Sequence, residues 1–244
     1  MTEILFFSSP IGLGHATRDL AIINQLQLES LRVFSGSSAV EFFHKNKIEA
    51  QDVYSPPRFD VKDGRLEKSL KWLWNYYKYY KNCKDISSKI INEEKPKLII
   101  SDEDFASIAI AQERKIPNII ITDILETKFT TGFGGMIEKK MNKTMQIMLD
   151  RANKVIIPEL GENQNNIVRT GPIVRKIQKN RREIRNILDF KKKTIVLSVG
   201  GTDAGIFLIK QTIEAVKKIQ IDVDLVLVSG PKITEKFSDG IKNL

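Results

Sequence analysis

The chain has 244 residues, 41% of them hydrophobic and 28% charged. That is the balance of a folded globular protein and excludes disordered, collagen-like and fibrous classes. The single cysteine, Cys83, excludes an internal disulfide framework and a cysteine-built zinc site, and it predicts a reducing compartment.

No run approaches the roughly 18 apolar residues of a membrane span. The start, Met1-Thr2-Glu3 before a short Ile4-Leu5-Phe6-Phe7 run, lacks the basic and apolar regions of a signal peptide. A cytoplasmic chain is expected, with the inner face of the cell membrane as a surface it can attach to. The net charge is +9. The stretch from Lys176 to Lys193 holds eight basic residues against Glu183 and Asp189, so +6 of that charge lies in one place. Only Phe190 is aromatic there, whereas a nucleic-acid face interleaves aromatics with its basic residues. A solvated helix after a linker is expected and no nucleic-acid partner, with anionic lipid or a nucleotide as the next candidate.

In chain order, Ile4–Ser8 predicts a short buried strand, followed by a glycine-containing turn and a helical pattern through Leu20, Ile23, Leu26 and Leu28. Arg32–Ser35 predicts the next strand. Ser37 or Ser38 then caps a helix that turns Val40, Phe42 and Phe43 inward. Leu66–Lys84 carries six aromatics among lysines. A helical wheel puts Leu66, Leu70, Leu73, Trp74, Tyr77 and Tyr80 on the docking face, and Trp72, Tyr76 and Tyr79 beside the lysines. That second face suits core packing, a lipid or acceptor contact, or a protein interface.

Leu98-Ile99-Ile100 is a further apolar run, followed by a helix around Phe105–Arg114 that Pro117 ends. Asn118–Thr122 predicts a strand. Gly132–Gly135 predicts a loop before a Met136–Leu149 helix, and Val155–Ile157 is a strand stopped by Pro158. After about Val174 a second unit begins: strand Thr194–Val199, turn Gly200-Gly201-Thr202, helix Ala204–Ile219 and strand Val223–Val228. Strand–helix alternation with continuous apolar strands predicts parallel sheets covered on both faces. Two strands and two helices fall short of a Rossmann-type sheet, so the second domain is expected to be cut short.

The chemistry-bearing stretch is Ile11-Gly12-Leu13-Gly14-His15-Ala16-Thr17-Arg18, after the first strand and opening the first helix. Gly12 and Gly14 allow a sharp turn and a close approach to a ligand. The helix start offers unpaired N–H groups to an anion. His15 is placed at the carboxyl edge of the sheet and suits general-base work. The alternative is a tight loop with His15 as a cap. Arg18, one turn on, can reach a phosphate or carboxylate or can pair with an acid of the body. Thr17 stands where a dinucleotide fingerprint has its third glycine, which argues against a nicotinamide or flavin cofactor. His44 reads as structural. Asp102, Glu103 and Asp104 end a buried strand, where two close carboxylates of the three suit acid–base work or a metal, and Asp102 or Asp104 suits a helix cap. Asp123 has the same ambiguity, and Gly134 lies in a loop that can face an acceptor.

The Gly-x-Gly-His-Ala-Thr-Arg turn resembles the N-terminal signature of GT-B nucleotide-sugar enzymes, nearest to the MurG-like glycosyltransferases (family 28) and related archaeal and bacterial glycosyltransferases. Three further stretches are similar in order: Lys95–Asp102, in which Lys97 replaces the usual acid, Arg169–Arg175 with its Thr-Gly-x-x-Val-Arg, and Leu197–Gly205 with its paired glycines.

The resemblance implies an α/β GT-B architecture. Residues 1–174 would form a Rossmann-like acceptor-side domain, and 175–244 part of a Rossmann-like donor-side domain. It implies inverting, metal-independent sugar transfer from a nucleotide diphosphosugar, bound as substrate with no cofactor, to an acceptor that is lipid-linked in many relatives. His15 would be the base or transition-state stabiliser. Gly12, Gly14, Arg18, Gly171, Arg175, Gly200, Gly201 and Thr202 would lie on the donor side, and Asp102, Asp104, Asp123 and Gly134 on the acceptor side. His15 is expected to face the Gly200-Gly201 pair across a cleft. The family's later His-Gly turn has no counterpart, since no histidine follows His44. Two other readings remain open: a nucleotide-sugar hydrolase or epimerase on the same fold, and a non-catalytic acceptor or anchor subunit whose partner chain supplies the rest of the donor side.

Overall fold

The computed structural model describes residues 3–26, 30–58, 61–62, 65–66, 69–128, 133–199, 205–219, 222–229, 237 and 242–243. The elements in chain order are β1 (Ile4–Ser8), α1 (Leu13–Leu26), β2 (Leu31–Ser35), α2 (Ser38–Lys45), β3 (Ala50–Asp52), β4 (Val61–Lys62), β5 (Arg65–Leu66), α3 (Ser69–Glu94), β6 (Leu98–Asp102), α4 (Phe105–Glu113), β7 (Asn118–Ile121), α5 (Phe133–Arg151), β8 (Lys154–Ile157), β9 (Ile167–Arg169), α6 (Arg181–Ile187), β10 (Lys193–Ser198), α7 (Ile206–Ile219), β11 (Val223–Val228) and β12 (Lys242–Asn243). The chain divides into two compact units: Met1–Arg58 with Lys68–Arg175, and Phe59–Glu67 with Lys176–Leu244.

The first unit is built on a seven-stranded parallel sheet in the order β3-β2-β1-β6-β7-β8-β9. Its strands are apolar on both faces because both are covered. Leu5 and Phe7 point to one side, with Phe34, Ile99, Ile120 and Val155, and pack against α3, α4 and α5. Phe6 points to the other, with Val33, Ile100 and Ile121, and packs against α1 and α2 through Ala16, Leu20, Val40 and Phe43. Two stretches not predicted as strands, β3 and β9, extend the sheet at its two edges.

Helix α3 corrects the predicted face. It runs 26 residues, and its inward stripe is Trp72, Leu73, Tyr76, Tyr79, Tyr80 and Cys83, continued by Ser87 and Ile91. Leu70, Trp74 and Tyr77 are exposed instead, and Leu66 belongs to β5. The four-residue steps from Cys83 through Ser87 to Ile91 fix the rotation of the whole helix, and Ser87 and Ile91 lie beyond the Leu66–Lys84 stretch from which the face is predicted. Helix α5 begins at Phe133, so Gly134 and Gly135 lie in its first turn and not in a loop.

The second unit carries the parallel sheet β10-β11-β12 and the antiparallel pair β4-β5. Ile209 of α7 packs on Leu225 and Leu227. The basic stretch forms α6, which has no buried residue and is started by a capping box between Asn180 and Glu183. Among the described residues no helix is long and apolar enough to cross a membrane.

Candidate functional site

From β1 the chain winds outward to β2 and β3, then returns to add β6 on the other flank of β1. The direction of winding therefore reverses between β1 and β6, and open α/β sheets bind ligands beyond the carboxyl ends of strands at such a point. The β1–α1 turn and the β6–α4 turn leave the sheet side by side there, tied by the Ser9 N–H donating to the Asp102 carbonyl at 2.9 Å. Gly12 makes the first turn with a φ of +81°, a left-handed conformation that favours glycine. Gly14 sits inside the first turn of α1, where a Cβ would meet open space.

This juxtaposition brings four predicted residues together. His15 Nδ1 lies 3.0 Å from Asp102 Oδ1. Arg18 grips the same carboxylate in a two-pronged bond, Nε to Oδ2 at 2.8 Å and Nη2 to Oδ1 at 2.6 Å. Its third nitrogen reaches Asp123 Oδ2 at 3.4 Å. Arg18 is thus held by acids of the body and not left for a phosphate.

Asp102 is fully buried. Burial alone would raise its carboxyl, but hydrogen bonds from His15 and Arg18 outweigh it and hold it at about 2. Nδ1 has the ionised Asp102 oxygen at 3.0 Å and the Arg18 Nη2 at 3.1 Å; the shorter contact, to the buried anion, favours the ring proton on Nδ1, where a bare nitrogen would set lone pair against lone pair. Nε2 is then the free, basic nitrogen of neutral His15. Burial opposes a charge on the ring, yet the Asp102 and Glu103 carboxylates prevail and raise its pKa above the ordinary 6.5. Asp19 is also fully buried. Burial first, and the Asp102 charge second, push it well above the carboxylate range.

Glu103 is the member of the site to which no individual role was assigned from the sequence. Its Oε2 stands 3.5 Å from His15 Nε2. Its Oε1 accepts from the Thr122 hydroxyl at 3.1 Å and the Asp123 N–H at 3.2 Å. Its backbone is left-handed, φ 53°, an uncommon conformation for a residue with a side chain and one that accumulates at functional sites. Burial, then the contact with Asp123, push its carboxyl up to about 7.

Beside Glu103 opens a pocket lined by Ser9, Pro10 and Ile11 from the first turn, Tyr76, Tyr79, Tyr80 and Cys83 from α3, and Asp104, Phe105 and Ala106 from the second turn. Tyr76 lies between Trp72, stacked on it at 5.1 Å between centroids, and Tyr79 at 5.9 Å. The inward stripe of α3 therefore forms an aromatic wall next to the histidine group.

Other predicted residues are held elsewhere. Asp104 caps α4 by accepting from the Ser107 N–H, and it also accepts the Tyr54 hydroxyl at 3.1 Å, so its carboxylate serves the helix. Gly171 makes a turn at φ +72° and donates its N–H to the Glu159 carbonyl. The Arg175 guanidinium lies over the Phe42 ring of α2. Gly134 is buried at the start of α5. His44 is structural, its Nε2 on the Ala50 carbonyl at 2.9 Å. Gly200, Gly201 and Thr202 lie outside the described residues.

No protein-family model matches the sequence, and no curated protein sequence does. Solved structures do match, and they give the chain a GT-B-type fold. The glycotransferase of kitacinnamycin superposes with a TM-score of 0.64 at 13% identity, covering 100% of this chain and 70% of that one. Streptomyces sp. SF2575 glycosyltransferase SsfS6, complexed with thymidine diphosphate, gives 0.57 at 11% identity and covers 100% and 71%. Medicago truncatula UGT71G1, complexed with UDP-glucose, gives 0.57 at 12% identity and covers 96% and 67%. At such identities the likeness is one of fold, and the chemistry has to be argued from the residues.

Proposed function

We propose that the chain takes part in transferring a sugar from a nucleotide diphosphosugar to an acceptor hydroxyl, with His15 as the general base. The observation that carries this reading is the His15–Asp102 pair at the sheet's switch point, with Nδ1 held at 3.0 Å and Nε2 held by no hydrogen bond, its nearest carboxylate Glu103 at 3.5 Å. A neutral imidazole fixed in that tautomer suits removal of a hydroxyl proton. In the transfer the acceptor O–H breaks and its proton passes to Nε2. The oxygen's electron pair forms the bond to the anomeric carbon, and the diphosphate leaves with the pair of the bond that breaks. Thymidine diphosphate and UDP-glucose in the similar structures support a nucleoside diphosphate as the donor's leaving group. The acceptor is assigned to the pocket between Glu103 and the α3 tyrosines, and the donor diphosphate to the Gly12 turn at the start of α1.

The outward face of α3 is assigned to an anionic membrane surface, which suits a lipid-linked acceptor. Leu70, Trp74 and Tyr77 are 53%, 58% and 41% exposed, and Lys78 and Lys81 lie over the Trp74 and Tyr77 rings. The experiment for the reaction is product analysis with UDP-glucose and a thymidine diphosphosugar labelled in the sugar, with and without a panel of hydroxyl acceptors. Label in the acceptor is the expected result. Label released as free sugar without an acceptor points to a hydrolase, and no cleavage of any donor contradicts the proposal.

A further inference from the structure

We infer that Glu103 is a positioning residue for His15: its carboxylate stands at the one ring nitrogen that Asp102 does not hold, and the two groups carry one proton between them. The inference rests on the reading of His15 as a base and adds a residue to that site.

The geometry points to a relation between the side chains and not to chance proximity. Glu103 Oε2 is 3.5 Å from Nε2, within ion-pair range yet longer than a hydrogen bond. The carboxylate is fixed from its other oxygen by Thr122 and by the Asp123 N–H. The backbone adopts a left-handed φ of 53° at this residue, in the turn that starts α4. The Glu103 side chain is 11% exposed, whereas that of Asp123 is 47% exposed, so the chain of carboxyls runs from a buried ring towards solvent. The charged and titratable groups around the pair are Asp102 and Asp104 on either side of Glu103 in sequence, Arg18 and Asp19 of α1, Asp123 after β7, and Tyr76 of α3. Burial and Asp123 lift Glu103 to about 7, and the Asp102 and Glu103 carboxylates raise His15 above its ordinary value against the opposing effect of burial.

The step this adds is balanced. With the shared proton gone, His15 is neutral and Glu103 ionised. The acceptor O–H breaks and an N–H forms at Nε2. That N–H then breaks as an O–H forms on Glu103 Oε2, and the carboxyl releases its proton through Asp123 to water. The ring returns to its basic form while the acceptor oxygen bonds the sugar and the diphosphate departs with its electron pair.

The chain has only two histidines, His15 and His44, so proton NMR titration of the full chain resolves them, with His44 as an internal control. Removing the carboxylate from Nε2 in Glu103→Gln is expected to lower the His15 midpoint by about one pH unit and leave His44 in place. Glu103→Asp keeps a carboxylate and is expected to fall in between. The acid limb of the turnover profile is expected to move down in pH with the His15 midpoint, as a purely structural residue would not make it do. A His15 midpoint that Glu103→Gln leaves unchanged overturns the inference. If that variant does not fold, carboxyl-carbon titration of the wild type decides: a Glu103 curve that follows the His15 curve supports the pair, and a midpoint near the ordinary ~4.3 overturns it. The titrations do not depend on catalysis, so failure of the transfer assay alone counts against the proposed reaction and not against the pair.

Discussion

His15 and Asp102 are 87 residues apart in sequence, yet Nδ1 and Oδ1 meet at 3.0 Å. The contact is made by the sheet. Pairing of β1 with β6 places Ser8 opposite Asp102, and the Gly12 turn brings α1 back over the strand ends so that its first turns face the end of β6. Arg18, one turn further along α1, closes on the same carboxylate. One buried anion therefore orients both the imidazole and the guanidinium.

The first prediction concerns acid. Asp102 falls from 3.8 to about 2 on folding. A carboxylate whose folded pKa is depressed contributes stability above its unfolded pKa, and that contribution disappears as pH falls through the folded value. A loss on the order of 2 kcal/mol is expected between about pH 4 and pH 2. Urea unfolding at a series of pH values measures it, and Asp102→Asn is expected to flatten that part of the curve. Glu103 acts with the opposite sign. Its raised pKa, about 7, removes stability as pH climbs from its unfolded value through the folded one.

A second prediction concerns Gly36, just after β2. A Cβ built there would lie 1.8 Å from the Tyr54 carbonyl oxygen, which is backbone and cannot turn aside. Gly36→Ala is expected to cost about 3 kcal/mol, as an overpacked core position does, read as a lower urea midpoint with unchanged slope. The effect reaches the site, because the buried Tyr54 hydroxyl joins Ser87 at 2.7 Å to the α4 cap Asp104.

The third prediction separates the two tryptophans of α3. Trp72 is 9% exposed and Trp74 is 58% exposed. Trp72→Ala is expected to destabilise the fold by about 3–5 kcal/mol, and Trp74→Ala by no more than about 0.5 kcal/mol. Flotation with anionic phosphatidylglycerol vesicles is expected to show the reverse: Trp74→Ala releases the protein and neutral phosphatidylcholine vesicles do not bind it. Equal binding of wild type and Trp74→Ala removes the membrane role of this face.

Much of the fold was legible because the strands are short apolar runs closed by prolines, serines and aspartates, as at Ile4–Ser8 and Asn118–Ile121. Residues 50–52 and 167–169 gave too little periodicity to announce edge strands, and their pairing partners define them. The His15 turn was legible from its glycines. The role of Asp102 was not, because it depends on β6 lying next to β1, a matter of sheet order that no local pattern encodes. Of the roles open to Arg18, the pairing with an acid of the body is the one seen, and it is made with that same neighbour. Glu103 carried no sequence signal beyond being one acid of three, since its aim at Nε2 comes from a left-handed backbone that only the turn imposes.

The most direct measurement is release of nucleoside diphosphate from the donor found active, in the presence of acceptor, for wild type, His15→Ala and Asp102→Asn, with donor affinity measured on each. His15→Ala is expected to lower turnover by about 10²–10⁴-fold and Asp102→Asn to do the same in direction, while donor Kd stays within about threefold of wild type. Turnover of His15→Ala equal to that of the wild type would contradict the account.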